Sequence, residues 1–317
     1  MNQHEFKLAK WTLLLLPILL LCGCARPAKP ARIHPVSLPG TASETAAEAA
    51  PSDAETIITL RVGETCEDLP LDVYLMGVLS AELPPTFSLE AMKAQAIASR
   101  TFALDKQARG EILCNDPACC QAYRAAETPS ETIRQAVTET DGLVLTYDGA
   151  LIQATFFSSS GGMTEAAAEV WGGEVPYLQS VESPGEDFAP RNQETFSLAR
   201  TTFLSVLETI RPVDATAEPL IGEITHTQGG GVRSIVIGGV PFTGLELRGA
   251  LDLRSTDFTL EEQGSVIRIT TRGSGHRVGM SQYGAEAMAR SGASAAEILA
   301  HYYPGTTLTK AASDEAP

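Results

Sequence analysis

Two adjacent prolines, Pro84 and Pro85, most constrain how this chain folds. They separate LPLDVYLMGVLSAEL from TFSLEAMKAQAIASRTFALD. Proline cannot continue a helix, and it pushes the residue before it into extended backbone. The first stretch therefore predicts a short helix ending near Leu83. The second predicts a helix over roughly Ser88 to Asp105, with Ser88 as N-cap.

At 100° per residue, Leu75, Val78, Leu79 and Glu82 share one arc of the first helix. Glu82 thus sits on an apolar stripe and at a helix C-terminus. Burial and the negative end of the helix dipole both disfavour its charged form, which suits a general acid. In the second helix Leu89, Lys93, Ala96, Ile97, Arg100 and Leu104 share an arc. The opposite arc carries Ala91, Ala94, Ala98, Thr101 and Asp105. Long cations belong on a solvated face. Lys93 and Arg100 are therefore expected to face a packed or ligand-lined surface, and either could pair with Glu82 and lower its pKa.

The rest reads as mixed α and β. TIITLRV, Thr56 to Val62, is a strand, and CNDPACCQAY is a turn-rich hairpin or loop. SETIRQAVTET is a helix. LVLTYDGALIQATFFSSSGG is two strands about Asp148-Gly149, ending in a glycine loop. TTFLSVLETI is a helix, and residues 221–270 are strand-rich. GSGHRVGMSQYGAEAMA is a glycine loop feeding a helix, and AAEILAHYY is a last helix. The expected class is α+β: helices and antiparallel strands in one main domain over 56–308, with a strand-rich insertion around 221–270.

The N-terminus reads as targeting. Lys7 and Lys10 precede 14 residues, Trp11 to Cys24, that are mostly apolar. A membrane span needs about 20, so the segment suits an export signal. Its end, LCGC, resembles a lipoprotein signal with Cys24 as the lipidated residue; an uncleaved anchor over 1–24 is the alternative. Either places the bulk of the chain outside the cytoplasmic membrane. Residues 25–55 are rich in proline, alanine and small polar residues and read as a flexible tether. Residues 309–317 read as a disordered tail. The net charge of -16, from 23 basic and 39 acidic residues, argues against nucleic acid as a partner.

Several motifs are suited to a polar ligand. FFSSSGG offers Ser158, Ser160, Gly161 and Gly162 after a strand. Trp171, in EVWGG, can stack on a sugar face or cover a small core. His276, Gln282 and Tyr283 lie in a glycine loop and the start of the helix behind it. That loop lacks the G-x-x-x-x-G-K-[ST] pattern of a phosphate cradle.

The Glu82 stretch, FFSSSGGMTEAAAEVWGGEVPYLQSVESP, GSGHRVGMSQYGAEAMA and HYYPGT occur in one order over about Thr56 to Leu308. Together they resemble the stage II sporulation protein D family. The resemblance implies a peptidoglycan lytic transglycosylase acting on peptide-free glycan strands, between N-acetylmuramic acid and N-acetylglucosamine, with a 1,6-anhydro product. It implies septal wall remodelling and engulfment during sporulation, with an amidase–endopeptidase and a membrane protein as partners. Ala81-Glu82-Leu83-Pro84 matches the family's catalytic context, so Glu82 is the expected catalytic residue. Lys93, Gln95, Arg100, Ser158, Ser160, Gly161, Gly162, Trp171, His276, Gln282 and Tyr283 stand at family-like positions, as substrate contacts or site supports. One acid suffices for such chemistry, unlike the two of most hydrolytic glycosidases. Related amidase-enhancer proteins share the domain. A non-catalytic glycan-binding activator of an amidase, and a membrane-tethered scaffold, are therefore further readings.

The chemistry requires no cofactor. Some relatives bind zinc through one histidine and two cysteines, and Cys114 and Cys120 resemble that cysteine pair. The histidine expected before Cys114 is absent, since the text there is DKQARGEIL. Cys66, Cys114, Cys119 and Cys120 stay open to a structural zinc site, a disulfide (Cys114 to Cys120, or Cys66 to one of the cluster) or free thiols.

Overall fold

The structure, a computed structural model, describes residues 52–311. The export segment, Cys24 and most of the tether lie outside the described residues. The fold is α+β, as the patterning predicts.

The chain enters through a turn at residues 52–55, which the composition assigned to the tether. Asp53 there is 3% exposed and holds the buried Arg100 guanidinium, its Oδ2 lying 2.6 Å from Nη2. Alanine and proline content could not reveal this anchor, because its partner is 47 residues away. Strands β1 (Ile57–Val62) and β2 (Thr65–Pro70) form a hairpin. Helix α1 (Leu71–Glu82) follows. Leu83, held extended at φ -115° and ψ 143° before Pro84, ends it. The prolines thus place Glu82 as the last helical residue.

Helix α2 (Leu89–Ala108) is the central rod of the main body. It packs against α1, α3 (Glu131–Glu139), strand β4 (Leu143–Tyr147) and the two C-terminal helices. Both of its arcs are therefore buried. Ala91, Ala94 and Ala98 are at most 2% exposed, and their small side chains admit the neighbouring elements. Thr101 Oγ1 accepts the Leu145 N–H at 3.0 Å. The two-faced helix expected from the wheel is thus enclosed on all sides. Ser88 holds the N-cap position but makes no side-chain cap; its Oγ donates to Glu286 Oε1 at 3.1 Å.

Strand β3 (Leu113–Cys114) pairs in parallel with β1 and opens the cysteine loop. After β4 come the short strands β5 (Ala150–Leu151) and β6 (Phe156–Phe157) and the single turn α4 (Ala167–Trp171).

The strand-rich insertion is longer than residues 221–270. It begins at β7 (Gln193–Ala199) and α5 (Arg200–Glu208). It continues through β8 (Ile221–His226), β9 (Val232–Ile237), β10 (Val240–Thr243), α6 (Gly244–Ala250) and β11 (Asp257–Gln263). It closes with β12 (Val266–Arg272), and the sheets run β10-β9-β8 and β11-β12-β7. Phe203, Leu207, Ile235, Phe242, Phe258 and Ile269 give it a core of its own. Strand β7 alternates in exposure, but its inner face is only half-buried and carries Glu194 beside Phe196 and Leu198, so its apolar signal is weak. Helix α6 carries a legible signal that pattern reading passed over: Thr243 and Glu246 form a capping box.

Strand β13 (Met280–Ser281) pairs with β6, and α7 (Gln282–Arg290) starts directly after it. Helix α8 (Ala295–Tyr302) and strand β14 (Thr307–Lys310) complete the body. β14 pairs with β4, so the ordered fold runs two residues past the 308 boundary and into the stretch read as tail.

Candidate active site

Glu82 is half-buried, and both its oxygens accept hydrogen bonds. Ala122 N–H donates to Oε1 at 2.7 Å, and Gln282 Nε2 donates to Oε2 at 2.9 Å. Burial holds this carboxyl above its ordinary value; the two hydrogen bonds pull the other way without cancelling the rise. Gly77 lets the Ala122 segment come this close. A Cβ there would stand 2.3 Å from Cε2 of Tyr123.

The acid opens into a cleft of about 340 Å³. One wall is the cysteine loop from Pro117 to Gln121; the other is Thr155 to Ser158 with Gly275, His276 and Gln282. Trp171 stands at the mouth, 51% exposed, its ring centroid 5.3 Å from that of His276. An indole that exposed is available to stack on a ligand. Burial, then the nearby Arg248 charge, press the His276 imidazole down to about 4. It is therefore neutral at pH 7. Its Nδ1 accepts the Val278 N–H at 3.1 Å, which places the ring proton on Nε2.

Larger depressions lie elsewhere on the surface, but none of them holds an acid of this kind. Burial also raises Asp105, to about 6, and Asp257; neither lines the Glu82 cleft. Glu165, Glu186 and Glu286 are more buried than Glu82, at 1–3% exposure. Glu186 accepts from Ser160, Gly161, Ser183 and Ser281, so it works as a structural clamp.

The structure thus sorts the expected residues. Ser158, Trp171, His276 and Gln282 line the cleft with Glu82. Neither cation reaches the acid. Lys93 pairs with Glu90 at 2.8 Å and Glu139 at 2.5 Å, and Arg100 with Asp53. Gln95 is buried, with Nε2 bonded to Ser99. Ser160 is fully buried on Glu186, while Gly161 and Gly162 turn with φ of 78° and 122° beside it. Tyr283 packs edge-on to Phe87 at 5.1 Å, away from the cleft. Sequence reading missed the Ala122 N–H, Phe157 and the Cys119–Cys120 wall, because backbone donors and loop walls leave no pattern.

The thiols divide in the same way. Cys66 and Cys114 both pair with Arg61, from opposite sides of β1. Two strand spacings put them about 9–10 Å apart, beyond disulfide reach. Cys66 is exposed and takes no part in the cluster. The Sγ atoms of Cys114, Cys119 and Cys120 lie within 4.8 Å of one another, with 3.2 Å between Cys114 and Cys120. All are free thiols. An Asx turn at Asp116 gathers them: Asp116 Oδ1 accepts the Ala118 N–H, and its carbonyl accepts those of Cys119 and Cys120. Burial pushes the Cys120 thiol up to about 12. Three convergent sulfurs fit a zinc ion with a fourth position left for another ligand. Cys114, Cys119 and Cys120 would hold it, and it would serve as a structural tie for the loop that leads into Ala122.

The chain resembles known proteins over most of its length. The SpoIID family model, described as Stage II sporulation protein, matches residues 62–147. The stage II sporulation protein D of Bacillus subtilis is 37% identical over 267 residues, covering 78% of this chain and 77% of the relative. That of Bacillus amyloliquefaciens is 37% identical over 266 residues, covering 78% and 76%. The amidase enhancer of Bacillus subtilis is 33% identical over 286 residues, covering 74% of this chain but 40% of its own. Fold and cleft together define an α+β protein with one carboxyl of raised pKa set in a cleft of about 340 Å³. The chain belongs to the stage II sporulation protein D family.

Proposed function

We propose that the Glu82 cleft takes a peptide-free peptidoglycan strand and that Glu82 cleaves it as a lytic transglycosylase. The observation that carries this reading is a half-buried carboxyl of raised pKa, held by Gln282 and Ala122 and opening beside an exposed indole. In its acid form Glu82 gives its proton to the bridging oxygen as the C1–O bond breaks. The carboxylate left behind is met by the Gln282 and Ala122 donors. It then takes the proton of the muramic acid C6 hydroxyl as O6 bonds to C1. Glu82 is regenerated, no water is consumed, and the product ends in a 1,6-anhydro ring. Trp171 stacks on a sugar face, and neutral His276, held by the Val278 N–H and the Phe156 backbone, packs beside it at the cleft wall.

The relatives' names support a role in sporulation. The N-terminal segment supports attachment to the outer face of the membrane, at the septum or the engulfing membrane, as lipoprotein or anchored protein. A membrane protein of the engulfment machinery and a cell-wall amidase are the proposed partners.

The amidase-enhancer relative favours a second reading, in which the same cleft binds glycan and activates an amidase without cutting. Comparison supports this reading more directly than cleavage; the acid's geometry supports cleavage. Purified chain and its Glu82→Gln variant, offered peptide-free strands, separate the two. Anhydro ends from the wild type alone support catalysis. Binding without anhydro ends, together with faster amidase turnover, supports the enhancer. No binding at all leaves a tethered scaffold.

A further inference from the structure

A second depression, of about 630 Å³, lies beside the cleft, and Gly275 lines both. Arg191, Arg248 and Arg254 line it together. In a chain of net charge -16, most buried or half-buried arginines have acid partners, as Arg100, Arg200 and Arg277 do. These three form no ion pair among the described residues, although Glu194 and Asp252 also line the depression.

Arg248 is half-buried, and burial alone lowers its pKa, with no acid to offset the lost hydration. Its Nε donates only to the Leu253 carbonyl, at 3.3 Å. Arg254 Nη2 donates to Ser274 Oγ at 2.9 Å, which steadies the guanidinium, while its buried Nε has no partner. A buried donor without an acceptor is destabilising until an acceptor arrives. Two half-buried, unpaired guanidinium groups, Arg248 and Arg254, with the exposed Arg191 lining the same hollow, are arranged for an anion that arrives from outside. A planar fork favours a carboxylate.

We infer that this depression is a subsite for the free lactyl carboxylate of a muramic acid residue in the strand that occupies the Glu82 cleft. The inference rests on the proposed glycan reading. A strand of N-acetylglucosamine and N-acetylmuramic acid is neutral except at that group. While a stem peptide is attached, the carboxyl is an amide and carries no charge. Removal of the stem exposes one carboxylate per muramic acid. The arginine pocket therefore gives a physical reason for selecting peptide-free strands.

The test is binding by the full chain carrying Glu82→Gln, so that strands stay intact. Three ligands are compared: peptide-free glycan, the same glycan with its lactyl carboxyls converted to amides, and a chitin oligomer of equal length. The expected result is about tenfold or more tighter binding of the first, as charged hydrogen bonds provide. The Arg248→Gln/Arg254→Gln double variant is expected to bind all three at the weaker level. Equal affinity for free and amidated strands overturns the subsite and leaves the cleft reading standing. Binding of none of the three overturns both. Discrimination that survives in the double variant also overturns the subsite. The three-ligand comparison needs no arginine change, so a variant that misfolds does not remove the test.

Discussion

Gln282 Nε2 stands 2.9 Å from Glu82 Oε2 across 200 residues of chain. The contact joins the end of α1 to the start of α7, and it sets the protonation of the one cleft acid against its burial. Several outcomes follow from this pairing and its surroundings.

Glu82→Gln should abolish anhydro-product formation, by about 10²–10⁴-fold, the usual worth of a general acid. The fold should survive. A carboxyl whose pKa is raised by folding contributes stability that is full below its unfolded value and is lost as pH rises from there through the raised folded value. The amide avoids this loss, still accepts from Ala122, and needs only a flip of the Gln282 amide. Melting at pH 7 should therefore match or exceed the wild type. A variant that melts normally and still cleaves at full rate sinks the assignment.

Gln282→Leu should move the pH–rate profile. The Gln282 bond favours the carboxylate, so its loss lifts the Glu82 pKa further. The acid form is the active one, so the alkaline limb should shift to higher pH. A shift to lower pH, measured on kcat/KM, contradicts the role.

Trp171→Ala should cost little stability, since the indole is 51% exposed. A lost stacking contact of about 0.5–1.5 kcal/mol should weaken strand binding up to about tenfold. Titration calorimetry on Glu82→Gln and on the double variant reads this directly. Unchanged affinity would make Trp171 a cover for His276 alone.

Asp53→Ala leaves the Arg100 guanidinium buried and uncompensated. Breaking one side of such a pair costs about 3–5 kcal/mol. A chain started at residue 56 should show a similar loss, and one started at 52 should not. Denaturant midpoints compare all three. Equal midpoints for the 52 and 56 starts would show that the pair contributes nothing.

Zinc should bind at one ion per chain and protect Cys114, Cys119 and Cys120 from a thiol reagent, leaving Cys66 the reactive one of the four. Because Cys120 is held up to about 12, the ion must displace a proton. Affinity should therefore fall as pH falls. Protection of Cys66 as well, or of none, would exclude this ligand set.

Local chemistry wrote much of the site into the sequence. Two prolines ended α1 at Glu82. Of the serine-glycine run only Ser158 lies at the cleft wall, with the indole and the histidine; Ser160 and Gly161 turn onto Glu186 instead. The strand-rich insertion was visible through its β-branched runs, though not through β7, where exposure alternates but only Phe196 and Leu198 mark the inner face with apolar side chains. The partners of charges were decided only in three dimensions. Lys93 and Arg100 look like companions of Glu82 on a helical wheel, yet Glu139 and Asp53 claim them. Gln282 reaches Glu82 from the far end of the chain. Cys66 falls on the wrong side of β1 to join the other thiols. Periodicity reports which face of an element is buried; it carries no information about what lies across that face. That information enters only when distant elements pack, and the protonation of Glu82 depends on it.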